Sequence, residues 1–261
     1  MPEDILSRQP PPPDLRLTYG SDPNQFLDLR FPRERTKQPW RLVINIHGGF
    51  WRAKYNLEHT GHLCAALTSK GVATANLEYR RVGNEGGAWP GTFEDIRSAY
   101  QFLVQNADKH HYRAKRIVVM GHSAGGQLAL CLAGHEPTVR GVVTLAGVVD
   151  LLRTFELHLS NDAVVKFLRG TPTDVPDHYR EADPMQLSIP NARQWLIHGS
   201  ADDTVPPQFS RDYVAAKKNR EGQQKEDTRL TEITGADHFD LIDPQSKAWI
   251  QVEQTVIQLA V

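Results

Sequence analysis

Arg116-Ile117-Val118-Val119-Met120-Gly121-His122-Ser123-Ala124-Gly125-Gly126 changes character half-way along its length. It opens as a short apolar run rich in β-branched residues, the pattern of a buried strand. It closes as Gly-x-Ser-x-Gly and runs on into Gln127-Leu128-Ala129-Leu130-Cys131-Leu132, which reads as a helix ending at Gly134. A chain that passes from strand to helix so quickly bends sharply. Small residues two before and two after the serine let the flanking backbones approach. The serine is left at the apex, its hydroxyl above the sheet edge and at the positive end of the helix.

On the N-terminal side, residues 1–14 form a polar arm stiffened by Pro10, Pro11, Pro12 and Pro13, expected to lie over the surface or stay loose. Leu15 to Tyr19 and Gln25 to Phe31 alternate in period two around the turn-rich Gly20-Ser21-Asp22-Pro23-Asn24, so they predict an antiparallel hairpin. Trp40 to Ile46 is almost continuously apolar, as a strand covered on both faces requires. Asn56 is placed to cap a helix through Leu67 that stops at Gly71, and Val72 to Leu77 reads as a strand. Thr92-Phe93-Glu94-Asp95 resembles a capping box ahead of a helix that buries Phe93, Ile96, Tyr100 and Leu103.

Beyond the central stretch, strands are predicted at Val139 to Ala146, Gln194 to His198 and Arg229 to Ile233. Helices are predicted at Pro207 to Lys218 and Pro244 to Leu259. This alternation predicts an α/β fold, a doubly wound, mostly parallel sheet with an antiparallel edge hairpin. Residues 15–261 read as a single domain. Asp150 to Pro190 breaks the alternation with a helical piece (Ala163 to Leu168) among prolines, and reads as a small cap inserted at about 150–190. Lys217 to Thr228 reads as a solvated charge run.

The 261 residues carry a formal net charge of −1, which excludes a nucleic-acid footprint and gives no electrostatic reason to bind an anionic membrane. Cys64 and Cys131 lie on apolar helix faces and read as buried free thiols. The first residues lack the apolar stretch of a signal peptide, and no run is long enough to span a bilayer, so a cytoplasmic protein is expected.

A serine hydroxyl becomes a nucleophile only with a base in hydrogen-bond reach, and a histidine base needs a carboxylate to set its tautomer. Sites in such sheets collect beyond the carboxyl ends of the strands. Asp202 and Asp203 follow the strand Gln194 to His198; Asp202 is taken as the acid, Asp203 as a turn or cap residue. His238 follows the last strand in Gly235-Ala236-Asp237-His238-Phe239 and is taken as the base. His59 and His62, three apart, mimic metal ligands, but without a third ligand they read as a solvated helix face. The oxyanion of a tetrahedral intermediate needs main-chain N–H donors. Ala124 supplies one, and the glycines of His47-Gly48-Gly49-Phe50-Trp51 bring another backbone close. Together these residues predict acyl transfer, with no metal and no organic cofactor.

These four stretches, in this order, resemble the α/β-hydrolase superfamily. The form His47-Gly48-Gly49-Phe50-Trp51 is similar to the kynurenine formamidase and bacterial carboxylesterase or feruloyl-type esterase group. Hormone-sensitive-lipase-like esterases carry a third glycine where this chain has Phe50. That departure leaves the register of the loop donors, Gly49 and Phe50, open by one position. The resemblance implies a catalytic Ser123, Asp202 and His238, an oxyanion hole from Gly49, Phe50 and Ala124, and Glu78-Tyr79-Arg80 ending a strand near the site. Arg80 and Asp95 are either an internal pair or two independent charges. Trp51, Trp89 and Phe239 are candidate aromatic walls for substrate, or braces for the loops. The implied activity is a carboxylesterase on small or aromatic esters. Rivals are an arylformamidase on N-formylkynurenine, an S9-type peptidase, and a non-catalytic binding protein on the same scaffold. A small-molecule ester or formamide is the expected partner, and the oligomeric state is open.

Overall fold

The structure is a computed structural model that describes residues 5–34, 38–218 and 226–260, apart from the side chain of Arg116. Among the described residues eight strands form one sheet in the order β1-β2-β4-β3-β5-β6-β7-β8. They are β1 (Leu15–Thr18), β2 (Phe26–Arg30), β3 (Leu42–Ile46), β4 (Ala73–Leu77), β5 (Val118–His122), β6 (Gly141–Leu145), β7 (Arg193–Gly199) and β8 (Thr228–Ile233). β1 pairs antiparallel with β2, and β2 antiparallel with β4; the remaining pairings are parallel. This is the doubly wound sheet and edge hairpin that the alternation predicts.

The helices are α1 (Gly61–Ser69), α2 (Gly91–Gln105), α3 (Ala124–His135), α4 (Leu151–Glu156), α5 (Ala163–Leu168), α6 (Pro176–Ala182), α7 (Gln208–Lys218) and α8 (Trp249–Ala260). Strand alternation divides the core. Ile44, Ile46 and Val119 belong to one core cluster with residues of α2, α3 and α7, while Val43, Val118 and Met120 belong to another with residues of α1 and α8. Each central strand therefore buries both faces, which explains its apolar sequence. A polar lock sits inside this sheet. Asn45 Nδ2 donates to Asn76 Oδ1 at 2.8 Å across the β3–β4 ladder, and Asn76 Nδ2 donates to the Leu57 carbonyl at 2.9 Å.

Several local expectations are corrected. Asn56 caps a short 3-10 turn (Leu57–Thr60), accepting from Glu58 N, and the α-helix proper begins only at Gly61. The capping box does not form, because Thr92 Oγ1 donates to the Arg80 carbonyl at 2.6 Å and Asp95 binds Arg80 through both carboxylate oxygens. The last helix starts at Trp249 rather than Pro244, because Asp243 accepts from Gln245 N and Ser246 donates to the Asp240 carbonyl, closing turns there. His59 is buried, not solvated: its ring packs edge-on against His47 and His122. The charge run is only partly described, residues 219–225 lying outside the described residues, and its flanks are solvated only in part, with Lys218 and Asp227 exposed. Lys217 and Glu226 are buried 3.8 Å apart. The described part of the N-terminal arm is docked: Ile5 is buried, Arg8 pairs with Asp243, and Arg30 donates to the Pro11 carbonyl. Both cysteines are free and buried. Among the described residues no helix is long and apolar enough to cross a membrane.

Candidate active site

Because β3, β5, β7 and β8 run parallel, the loops that follow them open at the same edge of the sheet. Ser123 is the residue between β5 and α3, with φ 55 and ψ −120. That is a left-handed backbone for a residue with a side chain, and it persists because its surroundings over-determine it. Ser123 N donates to the Leu145 carbonyl at 2.8 Å, and its own carbonyl accepts from Gly126 N at 2.9 Å and Val148 N at 3.1 Å. The flanking glycines have no room for anything else. A Cβ on Gly121 would stand 2.0 Å from the Gly125 carbonyl oxygen, and one on Gly125 2.0 Å from that of Ile46.

Asp202 and His238 meet in the space beyond β7 and β8. His238 Nδ1 donates to Asp202 Oδ2 at 2.7 Å, with both residues buried. Asp202 Oδ1 accepts from the backbone N–H groups of Thr204 (2.9 Å) and Val205 (2.8 Å). Burial alone would raise this carboxyl's pKa; the hydrogen bonds from His198 and His238 outweigh it and hold the group ionised, far below the usual carboxylate range. His198 Nε2 lies 3.3 Å from Asp202 Oδ2 and donates to the Val205 carbonyl, which leaves Nδ1 to accept from Ser210 Oγ at 2.7 Å. Asp203 is exposed and belongs to the turn.

The loop after β3 lies directly against the serine. A Cβ on Gly48 would fall 2.9 Å from Ser123 Cβ and 2.8 Å from the His122 carbonyl oxygen. Gly49 adopts φ 110, and Phe50 and Trp51 follow with φ 47 and 56. The loop is fastened from below by His47, whose ring lies between the Gly48 carbonyl (2.8 Å) and Glu78 Oε1 (3.0 Å) and stacks on Tyr79. Tyr79 in turn donates its hydroxyl to the His47 carbonyl at 2.7 Å. Burial pushes Glu78 upward, but His47 and Arg81 beside it draw it below its ordinary value. Ala124 is the first residue of α3, so its N–H points from the positive end of that helix.

Of the three candidate wall residues, Trp51 has no exposed surface. Its ring stacks on Phe167 at 4.5 Å and its Nε1 donates to Gln127 Oε1 at 3.0 Å, a bracing position rather than a wall. Trp89 is also buried, stacked on Phe93 at 5.2 Å. Phe239 and Phe50 are half-buried, and Phe239 stands edge-on to the His238 ring at 5.1 Å. Among the described residues no three His, Cys, Asp or Glu side chains gather as metal ligands would.

The model of the BD-FAE family matches residues 27–216. The chain belongs to the BD-FAE family. The match spans the Gly48-Gly49 loop, Ser123 and Asp202 and ends before His238. The chain is similar to esterase LipC of Mycobacterium tuberculosis, at 27% identity over 87% of this chain and 60% of LipC. It therefore spans about 60% of that relative's length. It is also similar to the kynurenine formamidase of Salmo salar, at 23% identity over 88% of this chain and 76% of that protein. In solved structures the same fold occurs in a truncated carbohydrate esterase from gut microbiota, with a TM-score of 0.80 at 20% identity over 97% and 99% of the two chains. The fold is that of the α/β-hydrolases.

The BD-FAE member also uses residues that its sequence does not announce. His198 gives Asp202 a second imidazole partner; its only advertisement is its place at the end of a strand, four residues before the acid. Gln127 joins three parts of the site. It accepts from Trp51 and donates to the Ala182 carbonyl at 2.8 Å, tying the loop after β3 and the end of α6 to the first turns of α3. Arg80 and Asp95 are an internal pair at 2.6 Å.

Proposed function

We propose that this chain hydrolyses carboxylic esters, small or aromatic, through an acyl-enzyme on Ser123. The observation that carries the reading is the buried 2.7 Å Asp202–His238 pair, opening at the same sheet edge as a serine held in a strained turn. With Nδ1–H given to Asp202, His238 keeps Nε2 as the base that takes the Ser123 proton. Ser123 Oγ then attacks the ester carbonyl. The N–H of Ala124, with those of Gly49 and Phe50, receives the oxyanion. His238 returns the proton to the departing alkoxide, and water repeats the cycle on the acyl-enzyme. Asp202 stays ionised throughout, and no step calls for a metal or a cofactor. The likeness to LipC supports the ester reading.

The likeness to kynurenine formamidase supports a second reading, hydrolysis of an aryl formamide by the same residues. Measuring kcat/KM on p-nitrophenyl esters of graded acyl length and on N-formylkynurenine separates the two, and a strong preference for the formamide overturns the first. Ser123→Ala is expected to abolish turnover and labelling by a fluorophosphonate. Retained activity, or labelling at another residue, overturns both.

A further inference from the structure

His122 is the last residue of β5, immediately before Ser123, and it is 1% exposed. Its Nε2 lies 3.0 Å from the main-chain carbonyl oxygen of His238. A carbonyl only accepts, so Nε2 carries a proton and donates it. Burial, and then the neighbouring His238 and His59 rings, push the His122 pKa well below the ordinary imidazole range, so the ring is neutral and Nδ1 is a bare lone pair. That Nδ1 is buried without a hydrogen-bond partner, beside the Gly48 backbone, where a Cβ would stand 3.1 Å away. An apolar ring of similar size would fill the space without stranding a buried nitrogen. The donor on the other side of the ring is what an apolar residue could not supply.

Its effect follows from what it joins. Among the described residues, the hydrogen bond from His122 to His238 is the one that ties the nucleophile turn directly to the loop after β8. Other bonds of that loop run elsewhere: among them, Gly235 N donates to Ser200 Oγ, Ala236 N to the Ile233 carbonyl, and Phe239 N and Asp240 N to Asp237, while Ala201 N donates to the Ala236 carbonyl. The two rings also lie 4.5 Å apart and tilted by 51°. His238 is thus held by its carbonyl, by its Nδ1 on Asp202, and along one side of its ring. We infer that His122 is a positioning residue that sets the separation between Ser123 and the His238 imidazole. The inference rests on the reading of Ser123 and His238 given above.

The test compares His122→Phe, which keeps a ring but deletes the donor, with His122→Gln, which offers an N–H at similar reach. On p-nitrophenyl butyrate, His122→Phe is expected to lower kcat about 10- to 100-fold, the scale of a nucleophile and base out of register. KM should stay within about twofold, and fluorophosphonate labelling of Ser123 should slow in parallel. His122→Gln is expected to recover most of the loss at equal Tm. A folded His122→Phe with wild-type kcat overturns the inference, and so does a loss that Gln does not relieve. A measurement on the wild-type chain does not depend on folding of the variants. Long-range 1H–15N spectra should show a proton on His122 Nε2; the Nδ1–H tautomer overturns it. The two readings fail separately. An active Ser123→Ala removes the proposed mechanism, whereas a dead Ser123→Ala beside a fast His122→Phe removes only the positioning role.

Discussion

A side chain at φ 55 costs on the order of 1–3 kcal/mol, and Ser123 is held there by three backbone hydrogen bonds. Glycine adopts that backbone freely. Ser123→Gly is therefore expected to be more stable than Ser123→Ala by about 1 kcal/mol in urea denaturation, though both lack the hydroxyl. The opposite holds two residues on. A Cβ at Gly125 meets the Ile46 carbonyl oxygen at 2.0 Å, backbone against backbone, so nothing soft can give. Gly125→Ala is expected to cost about 3 kcal/mol or more, read as a lowered urea midpoint, and to silence Ser123 by prising α3 from β3. At this scale the placing of Ser123, Asp202 and His238 beyond strand ends at one edge of the sheet was legible, because parallel strands open their following loops on the same side. His122, His198 and His59 were not. What each does depends on a partner far away in the chain, and a single buried imidazole leaves no periodic trace.

Among elements, the core strands were readable as short, nearly continuous apolar runs, and α2 by the helical spacing of Phe93, Ile96, Tyr100 and Leu103. Between β6 and β7 only α5 was, at Ala163–Leu168 as the sequence reads. The helices α4 and α6 span only six and seven residues, too few turns to show a stripe, and the segment is held by contacts with distant parts of the chain. Phe167 on α5 stacks on Trp51, Trp89 N donates to the Phe167 carbonyl, and Arg169 donates to the Gly87 carbonyl. Gln127 fastens the end of α6 to the same tryptophan. Gln127→Leu is therefore expected to strand the Trp51 N–H and to leave the Ala182 carbonyl with the Cys131 thiol alone, at a cost of about 1–3 kcal/mol. Amide exchange should speed up together at 50–53 and 180–185, and kcat should fall as the loop after β3 loosens. Unchanged exchange at either segment would show that the two are not coupled through this amide.

For the molecule as a whole, buried groups shape the dependence of stability on pH, His59, His122 and Asp183 among them. Burial drives His59 down to about 3 and His122 well below its ordinary value. Below pH 6.5 the unfolded chain takes up protons on both that the folded state refuses, so stability is lost on acidification. Asp183 acts in the other direction. Burial first, and Asp150 nearby, push its carboxyl up to about 7, and Oδ2 has no partner. The folded state keeps a proton that the unfolded chain releases near pH 4, so this contribution is lost between about pH 4 and 7. Asp183→Asn is expected to stabilise the chain at both pH 5 and pH 8. The gain at pH 8 should exceed that at pH 5 by on the order of 3 kcal/mol, since each tenfold change in proton affinity is worth about 1.4 kcal/mol. Equal shifts at both pH values would mean that the carboxyl is not protonated in the folded state. The general architecture needed only apolar periodicity to be read; this pH response depends on which polar atoms are sealed away from water. The Asn45–Asn76 amide pair has a further consequence. If β3 and β4 zipped together one step out of alignment, each amide would face the wrong neighbour in a dry interior. The pair thus favours the one alignment in which the two strands finish level, with His47 and Glu78 leaving the sheet side by side.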